Sequence, residues 1–182
     1  MKNEVVDSFS HREQLIYFAG LFDGDGCACI IKQKSDASLS GFIYRPMLKV
    51  TMTDSAPVEL FYEIFGGAFN ISNPEPQRKV PFTWRVYGLR ATQIAVQLIP
   101  FSRNPRKKAA LECVAAFGMT IPLHPYGRSG VPFDMMQRRE MFYNRCRAIN
   151  ARGSEANNQS LADLALIAEY KTESPQLLLW NE

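Results

Sequence analysis

Two aspartates at the end of an apolar helical segment have the types and spacing that most suggest chemistry. Asp23 and Asp25 alternate with glycines at the end of the run LIYFAGLFDGDG, residues 15–26. The free carbonyls at the C-terminal end of a helix carry about half a negative charge, so carboxylates are unfavourable there unless a cation joins them. Oxygen ligands at an open site suit Mg²⁺, which keeps several waters and accepts phosphate oxygens. The alternative is a plain helix-to-strand turn, since Asp and Gly dominate turns.

The helix that leads to these aspartates has two unlike faces. Its N-cap is Ser8 or Ser10, and Glu13 completes a capping box with Ser10. Helical spacing predicts one apolar stripe, formed by Leu15, Phe18, Ala19 and Phe22. A second stripe is almost bare and consists of Ile16, Gly20 and Gly24. Small residues four apart let another backbone approach closely, so we expect the core on one side and a partner helix on the other. Two copies packed this way would bring two Asp25 side chains together, as a two-metal centre for phosphodiester attack requires.

The rest of the chain alternates hairpins and helices. The patterns predict strands at 27–34 and 42–53, a helix at 57–65, strands at 68–72 and 80–87, and a helix at 90–98. Further helices are expected at 107–118, 133–149 and 161–170. This α-β-β-α-β-β-α order predicts an α+β domain with a four-stranded antiparallel sheet, helices on one face and a C-terminal helical extension. Pro46 indicates an edge or a bulge in the second strand.

The other face of that sheet combines basic and hydrogen-bonding side chains. Alternation along the second and fourth strands places on it Arg45, Met47, Lys49, Thr51, Thr83, Arg85 and Tyr87. Arg and Lys read guanine in the major groove of DNA, and other side chains read adenine or the thymine methyl group. On the pattern alone, a solvent-exposed face with unrelated polar residues is the simpler interpretation.

The charge distribution favours an anionic partner for the middle of the chain. The formal net charge is only +3, but residues 44–108 contain ten Lys or Arg against four acidic residues. Arg78 and Lys79, in the turn between the third and fourth strands, belong to this basic set. Residues 155–182 contain five acidic residues and one lysine. We therefore expect the basic segment to face a polyanion, and we include Arg78 and Lys79 among the candidate DNA-binding residues.

The cysteine spacing and the hydropathy of the chain argue against a zinc-binding, secreted or membrane protein. The four cysteines, at 27, 29, 113 and 146, have no C-x-x-C spacing, and the chain has two histidines. Both facts argue against a structural zinc site, and we expect reduced thiols in an intracellular protein. The polar first residues predict no signal peptide, and no apolar run reaches the length of a membrane span, so no membrane partner is expected.

Residues 18–26, FAGLFDGDG, resemble the signature of the LAGLIDADG homing endonucleases. Phe18 replaces the first leucine, and Phe22 and Gly24 are conservative changes from the name sequence. The predicted order of helices and strands also fits that family, so the resemblance covers roughly 15–118. It implies a sequence-specific DNA endonuclease that depends on Mg²⁺, with Mn²⁺ or Ca²⁺ able to substitute for binding, and without a small-molecule cofactor.

The resemblance also implies roles for individual residues. Asp25 would be the acidic metal ligand, with the Gly24 carbonyl beside it, whereas Asp23 would brace the helix end. Family members often place a basic residue near the active site, ahead of a helix. Three residues after Pro105 are candidates for this catalytic position, with Lys107 the first choice: Arg106, Lys107 and Lys108.

A chain with one such motif resembles the homodimeric branch of the family. The implied interface contains Ile16, Gly20, Asp23 and Gly24. The strands of two subunits would straddle double-stranded DNA and make a staggered break at a long, partly palindromic site, as in the homing of a mobile intron or similar element. We expect the endonuclease domain with its helical extension at 1–153, and a C-terminal helix and tail at 154–182.

Two other interpretations stay open. The same fold can serve a DNA- or RNA-binding protein that does not cleave, such as a splicing cofactor. The other is a metabolic α+β enzyme with a small-molecule pocket, which predicts a monomer whose ligand binding is insensitive to salt. DNA affinity that falls steeply with salt would argue against this last interpretation.

Overall fold

A computed structural model of the 182-residue chain describes residues 10–36, 38, 40–72, 79–122 and 130–151. The elements, in chain order, are α1 (His11–Asp25), β1 (Gly26–Lys34), β2 (Phe42–Met52), α2 (Ser55–Phe65), β3 (Ala68–Ile71), β4 (Phe82–Tyr87), α3 (Gly88–Leu98), α4 (Pro105–Phe117) and α5 (Phe133–Asn150). A short 3₁₀ helix, Gly118–Thr120, follows α4. The predicted α-β-β-α-β-β-α order and the helical extension after it are confirmed.

The four strands form one antiparallel sheet in the order β1-β2-β4-β3. β1 and β2 pair over their whole shared length, from Gly26 opposite Val50 to Lys34 opposite Phe42. β4 pairs with β2 only from Met47 to Met52. Residues 30–34 and 42–46 therefore form a two-stranded ribbon that extends past β4, which we call the distal hairpin.

The core lies between the helices and one face of the sheet. Strand alternation turns Ala28, Leu48, Val50 and Trp84 toward the helices, and all four are buried. The helices contribute their apolar faces, as α1 does with Leu15, Phe18, Ala19 and Phe22. These four are the predicted apolar stripe of α1, and they are its buried residues.

Pro46 lies where the sequence predicts a strand edge, although β2 is a central strand. β4 begins to pair at Met47, opposite Tyr87, so among the described strands β2 has only β1 as a neighbour at Pro46. A proline removes a backbone donor, and this position needs no donor on the β4 side. The β1–β2 register is continuous through Ile30 and Pro46, so the alternative of a bulge is wrong.

The first helix is longer than its apolar pattern predicts. The Ser10–Glu13 capping box starts it as expected, with the Ser10 hydroxyl accepting from the Glu13 amide and the Glu13 carboxylate accepting from the Ser10 amide. The helix ends at Asp25, three residues beyond Phe22, the last residue of its apolar stripe, because the Gly26 amide still donates to the Phe22 carbonyl. Both aspartates therefore belong to the last turn. Arg78 and the predicted helix at 161–170 lie outside the described residues, as do the whole predicted segment 154–182 and its boundary.

Candidate active site and nucleic-acid interface

The two aspartates at the end of α1 have different surroundings. The Asp23 carboxylate accepts hydrogen bonds from the Ser102 hydroxyl at 2.5 Å and from the amides of Arg103 and Asn104 at 2.6 and 3.0 Å. Asp25 is exposed, and among the described residues its carboxylate has no hydrogen-bond or ion-pair partner. Asp23 thus braces the helix end against the segment before α4, and Asp25 stays available to a ligand.

The contacts of Asp23 fix the start of α4 beside the end of α1. Asn104 is the N-cap of α4, and its side-chain oxygen accepts from the amides of Arg106 and Lys107. Its side-chain nitrogen donates to the Asp23 carbonyl at 3.4 Å. One carboxylate and one cap therefore determine where the first turn of α4 lies relative to Asp25.

The first turn of α4 sends its two leading basic side chains in different directions. Lys107 donates to the backbone carbonyl of Gly26, the residue after Asp25. Arg106 instead donates to the carbonyls of Ile149 and Ala151 at the end of α5, at 2.8 and 2.9 Å. Of the three basic candidates, the structure brings Lys107 next to the Asp25–Gly26 peptide and gives Arg106 a capping role on α5.

A pair of thiols lies at the start of β1, beside this site. Cys27 and Cys29 share the outer face of β1, and Cys27 stands opposite Lys49 in the register. The pKa of the Cys27 thiol is lowered to about 6, mainly because the Cys29 thiol hydrogen-bonds to it, and the ammonium groups of Lys107 and Lys49 act in the same direction. The pKa of Cys29 is raised because it donates that hydrogen bond.

The register sets the predicted DNA-binding residues in rows across the outer face. Starting from the Asp25 end, one row contains Thr51 and Thr83, whose hydroxyls are 3.1 Å apart. The next two rows contain Lys49 beside Arg85, and then Met47 beside Tyr87. Farthest away, Ile31 stands opposite Arg45 in the distal hairpin. The basic side chains of this face therefore span β2 from Arg45 to Lys49, and Arg85 lies beside Lys49 on β4.

Exposure differs within this set. Arg45 and Lys79 are exposed, Tyr87 is 40% exposed, and Lys49, Thr51 and Arg85 are half-buried. Thr83 is only 5% exposed, so little of its side chain reaches the surface. The Nε atom of Arg85 is buried and has no acceptor among the described residues. A buried donor without a partner is costly, so the Nε atom of Arg85 carries a penalty that the other described side chains of the set do not share.

The bare stripe of α1 lies at the surface. Ile16 is 49% exposed, and Gly20 and Gly24 are exposed as well. A Cβ atom added at Gly20 or at Gly24 would meet no heavy atom within 4 Å. The predicted interface residues Ile16, Gly20 and Gly24 therefore share an open strip, whereas Asp23 is half-buried in its contacts with 102–104.

The described residues contain neither a cluster of metal ligands nor a helix that could cross a membrane. No group of three or more His, Cys, Asp or Glu side chains lies close enough to hold a metal ion within the described ranges. Over the same ranges, no helix has both the length and the apolarity that crossing a membrane needs.

Some contacts of the site cannot be predicted from the sequence. The link from Asp23 to Ser102 joins positions 79 residues apart, and only the fold reveals it. One local signal was present, because Asn104 followed by Pro105 is typical of an N-cap and the first helical position. That signal places the start of α4 at Pro105 and orients the basic residues after it.

The chain resembles known proteins in its structure but not in its overall sequence. No protein-family model matches the chain, and no curated protein matches its sequence. Among solved structures, the homing endonuclease I-CvuI in complex with the I-CreI target has a TM-score of 0.63 and 15% identity, covering 90% of this chain and 98% of that one. The archaeal intron-encoded homing endonuclease I-Vdi141I complexed with DNA has a TM-score of 0.53 and 12% identity, covering 90% and 99%.

A third structure is about twice as long as this chain. The LAGLIDADG homing endonuclease I-SmaMI bound to cleaved DNA has a TM-score of 0.55 and 18% identity, and the match covers 89% of this chain but 49% of that one. At such low identities the likeness concerns the fold alone. The chain has the fold of the LAGLIDADG homing endonucleases, as its nine-residue motif predicts.

Proposed function

We propose that this protein is a LAGLIDADG-type endonuclease that cuts both strands of double-stranded DNA at a specific site. The observation that carries the proposal is the position of Asp25. Its exposed carboxylate lies at the joint between α1 and β1, at one end of the sheet face that bears Lys49, Arg85 and Arg45. A candidate reaction centre and a candidate recognition surface thus adjoin, as cleavage at a recognised sequence requires.

The chemistry of the Asp25 end fits a hard divalent cation such as Mg²⁺. The donors are the Asp25 carboxylate, which has no protein partner among the described residues, and the Gly24 carbonyl, which accepts no hydrogen bond inside the helix. Mg²⁺ commonly takes one or two carboxylates and completes its shell with water and phosphate oxygens. The described part of one chain supplies too few ligands for a protein-only cage, and DNA phosphate would supply others.

When bound, the cation supplies positive charge that polarises the scissile phosphodiester and favours hydrolysis by water. The residues of this chain do the positioning. Asp25 would hold the cation, and the Lys107 ammonium lies at Gly26, where it can offset negative charge on the phosphate. Asp23 keeps the start of α4, and with it Lys107, fixed against α1.

The outer face of the sheet would bind DNA in the major groove. Arg45, Lys49 and Arg85 offer donors to guanine, and Tyr87 and Met47 offer apolar contacts for thymine methyl groups. Thr51 is the hydroxyl that remains half-exposed in the Thr51–Thr83 pair. We include Thr83, Arg78 and Lys79 in the same proposed interface. Affinity should fall steeply with salt, since each phosphate neutralised contributes about −0.9 to the logarithmic slope.

We propose that two copies pair through α1. The strip formed by Ile16, Gly20 and Gly24 is open in one chain, and small residues there permit close helix approach. The chain matches about half of I-SmaMI, so a second copy would supply the rest of such an assembly. Two-fold symmetry then requires a partly palindromic target with one reaction centre for each strand. In this proposal the protein acts inside the cell, in the homing of a mobile intron or similar element.

A binding protein without nuclease activity is the second candidate. The observation that supports it is that the basic outer face of the sheet is formed without Asp25 and Lys107. The two candidates differ in what a randomised duplex library yields in Mg²⁺. The endonuclease releases cleaved ends that share one partly palindromic sequence and a constant stagger. Sequences that are bound but recovered uncut would instead favour the binding protein, and no enrichment at all would refute both.

A further inference from the structure

The distal hairpin is attached to α5 on the face opposite the DNA-binding side chains. Lys32 and Tyr44 are paired across β1 and β2, and both point toward the helices. The carboxylate of Glu140, on α5, accepts from the Lys32 ammonium at 2.6 Å and from the Tyr44 hydroxyl. We call these three residues the clasp.

Aromatic rings enclose the cation of the clasp. The Lys32 ammonium lies 4.5 Å from the centre of the Phe42 ring and 5.5 Å from that of Tyr44. Tyr143, one turn beyond Glu140 on α5, contributes a third ring at 5.7 Å and packs edge-on against Tyr44 with 6.1 Å between centroids. The contact therefore joins two strands to one helix with defined geometry.

The distal hairpin has little other support from the sheet. β4 pairs with β2 only up to Met47, so residues 42–46 have no strand on that side within the described part of the chain. Strand alternation places Arg45 and Gln33, both exposed, on the face opposite Tyr44 and Lys32. Whatever fixes the back of this ribbon also fixes the height and tilt of the side chains on its front.

We infer that the Lys32–Tyr44–Glu140 clasp is a positioning device that sets how the distal hairpin meets the outer part of each DNA half-site. The inference rests on the proposed function, since it assumes that the outer face of the sheet binds DNA. Glu140 touches no base and acts through Lys32 and Tyr44 on Arg45 and Gln33. The helical extension thereby contributes to recognition without contacting the recognised bases.

The position of the clasp predicts which base pairs depend on it. Lys32 lies seven residues beyond Asp25, which is about 23 Å along a strand. At about 3.4 Å for each base pair, the clasp stands roughly six to seven base pairs from the scissile phosphate. Lys49 and Arg85 lie much closer to Asp25, in the part of the sheet where β2 and β4 pair. Loss of the clasp should therefore weaken discrimination at outer positions and spare inner ones.

The test is a cleavage selection from a randomised duplex library in Mg²⁺, run with the full chain and four variants. Glu140→Leu removes the acceptor, Tyr44→Phe removes one hydroxyl and keeps the ring, and Glu140→Gln keeps an acceptor oxygen. Gln137→Leu changes an exposed residue one turn away on α5 and serves as the control. Thermal melts identify which variants fold. If Glu140→Leu does not fold, the result for Tyr44→Phe decides the test.

The expected result is a position-specific change. Glu140→Leu and Tyr44→Phe should lose about tenfold in base preference at the outer positions, the scale of one misplaced base contact. Glu140→Gln should retain part of that preference, and Gln137→Leu all of it. Unchanged outer preferences, or an equal loss at every position in folded variants, would overturn the inference while the proposed function stands. A wild-type chain that selects no DNA would overturn both.

Discussion

Replacing Gly20 by leucine separates the folding of one subunit from the pairing of two. Gly20 is exposed in the middle of α1, and an added Cβ would meet no heavy atom within 4 Å. The subunit should therefore accommodate leucine without strain. Glycine is less favourable than leucine inside a helix by about 0.8 kcal/mol, so the free energy of unfolding of an isolated subunit should rise by a similar amount. That gain corresponds to an increase of about 2–4 °C in melting temperature.

The same change should be costly at a dimer interface. If two α1 helices pack through Ile16, Gly20 and Gly24, the symmetry places two leucines where the backbones approach each other. Overpacking costs about 1–3 kcal/mol at each position, and two positions give about 2–6 kcal/mol. At about 1.4 kcal/mol for each factor of ten, the dimer dissociation constant should rise by about 30-fold to roughly 10⁴-fold.

Sedimentation over a range of concentrations measures the dissociation constant, and melting at concentrations where both proteins are monomeric measures the subunit. Gly26→Ala is a matched control in the same motif, because its Cβ would lie 2.4 Å from Cγ of Phe22 and should lower the melting temperature. A Gly20→Leu chain that dimerises as tightly as wild type would refute the α1 interface. A Gly20→Leu chain that melts like Gly26→Ala would refute the open strip.

Two further predictions concern stability. Gly67 has a φ of +101°, and a Cβ added there would lie 2.6 Å from the Arg85 carbonyl oxygen, whereas Gly88 has a φ of +68° and open space around it. The free energy of unfolding, measured in urea, should fall by about 3 kcal/mol in Gly67→Ala and by about 1 kcal/mol in Gly88→Ala. Equal losses in the two variants would contradict this prediction. Although burial raises the pKa of Glu140, hydrogen bonds from Lys32 and Tyr44 outweigh it and hold that pKa below the usual 4.5. The stabilisation by this ionised carboxylate is therefore complete above about pH 4.5 and disappears as the pH falls through the lowered value. The difference in melting temperature between wild type and Glu140→Gln should shrink as the pH falls from 7 toward 3, and a difference independent of pH would count against the clasp geometry.

The fold was predictable because its signals are local. The stripe of Leu15, Phe18 and Phe22 follows from helical spacing, and the two faces of β2 follow from strand alternation. Hairpin order then leaves few topologies for a four-stranded antiparallel sheet. Pro46 shows the same principle, since its missing donor indicates an edge and β2 does not pair with β4 from residue 42 to Pro46.

The site was only partly predictable, because its contacts span long stretches of chain. Arg106 and Lys107 are adjacent in sequence, but a helix turns by about 100° between them, and the packing of α4 alone decides which one reaches Gly26. Glu140 meets Lys32 across 108 residues, and no local pattern marks that pair. Such contacts depend on how elements dock, which composition and periodicity do not encode.

Cleavage by wild type and by Asp25→Asn on the same selected DNA tests the central claim most directly. Binding and cutting are measured in parallel in Mg²⁺, with the selected site on a plasmid. The wild-type chain should cut both strands, and Asp25→Asn should bind with a similar dissociation constant but cut at least about 10³-fold more slowly, because the substitution removes the one exposed carboxylate at the joint of α1 and β1. Equal cutting by the two proteins, or binding by both with cutting by neither, would contradict the assignment of Asp25 as the catalytic metal ligand.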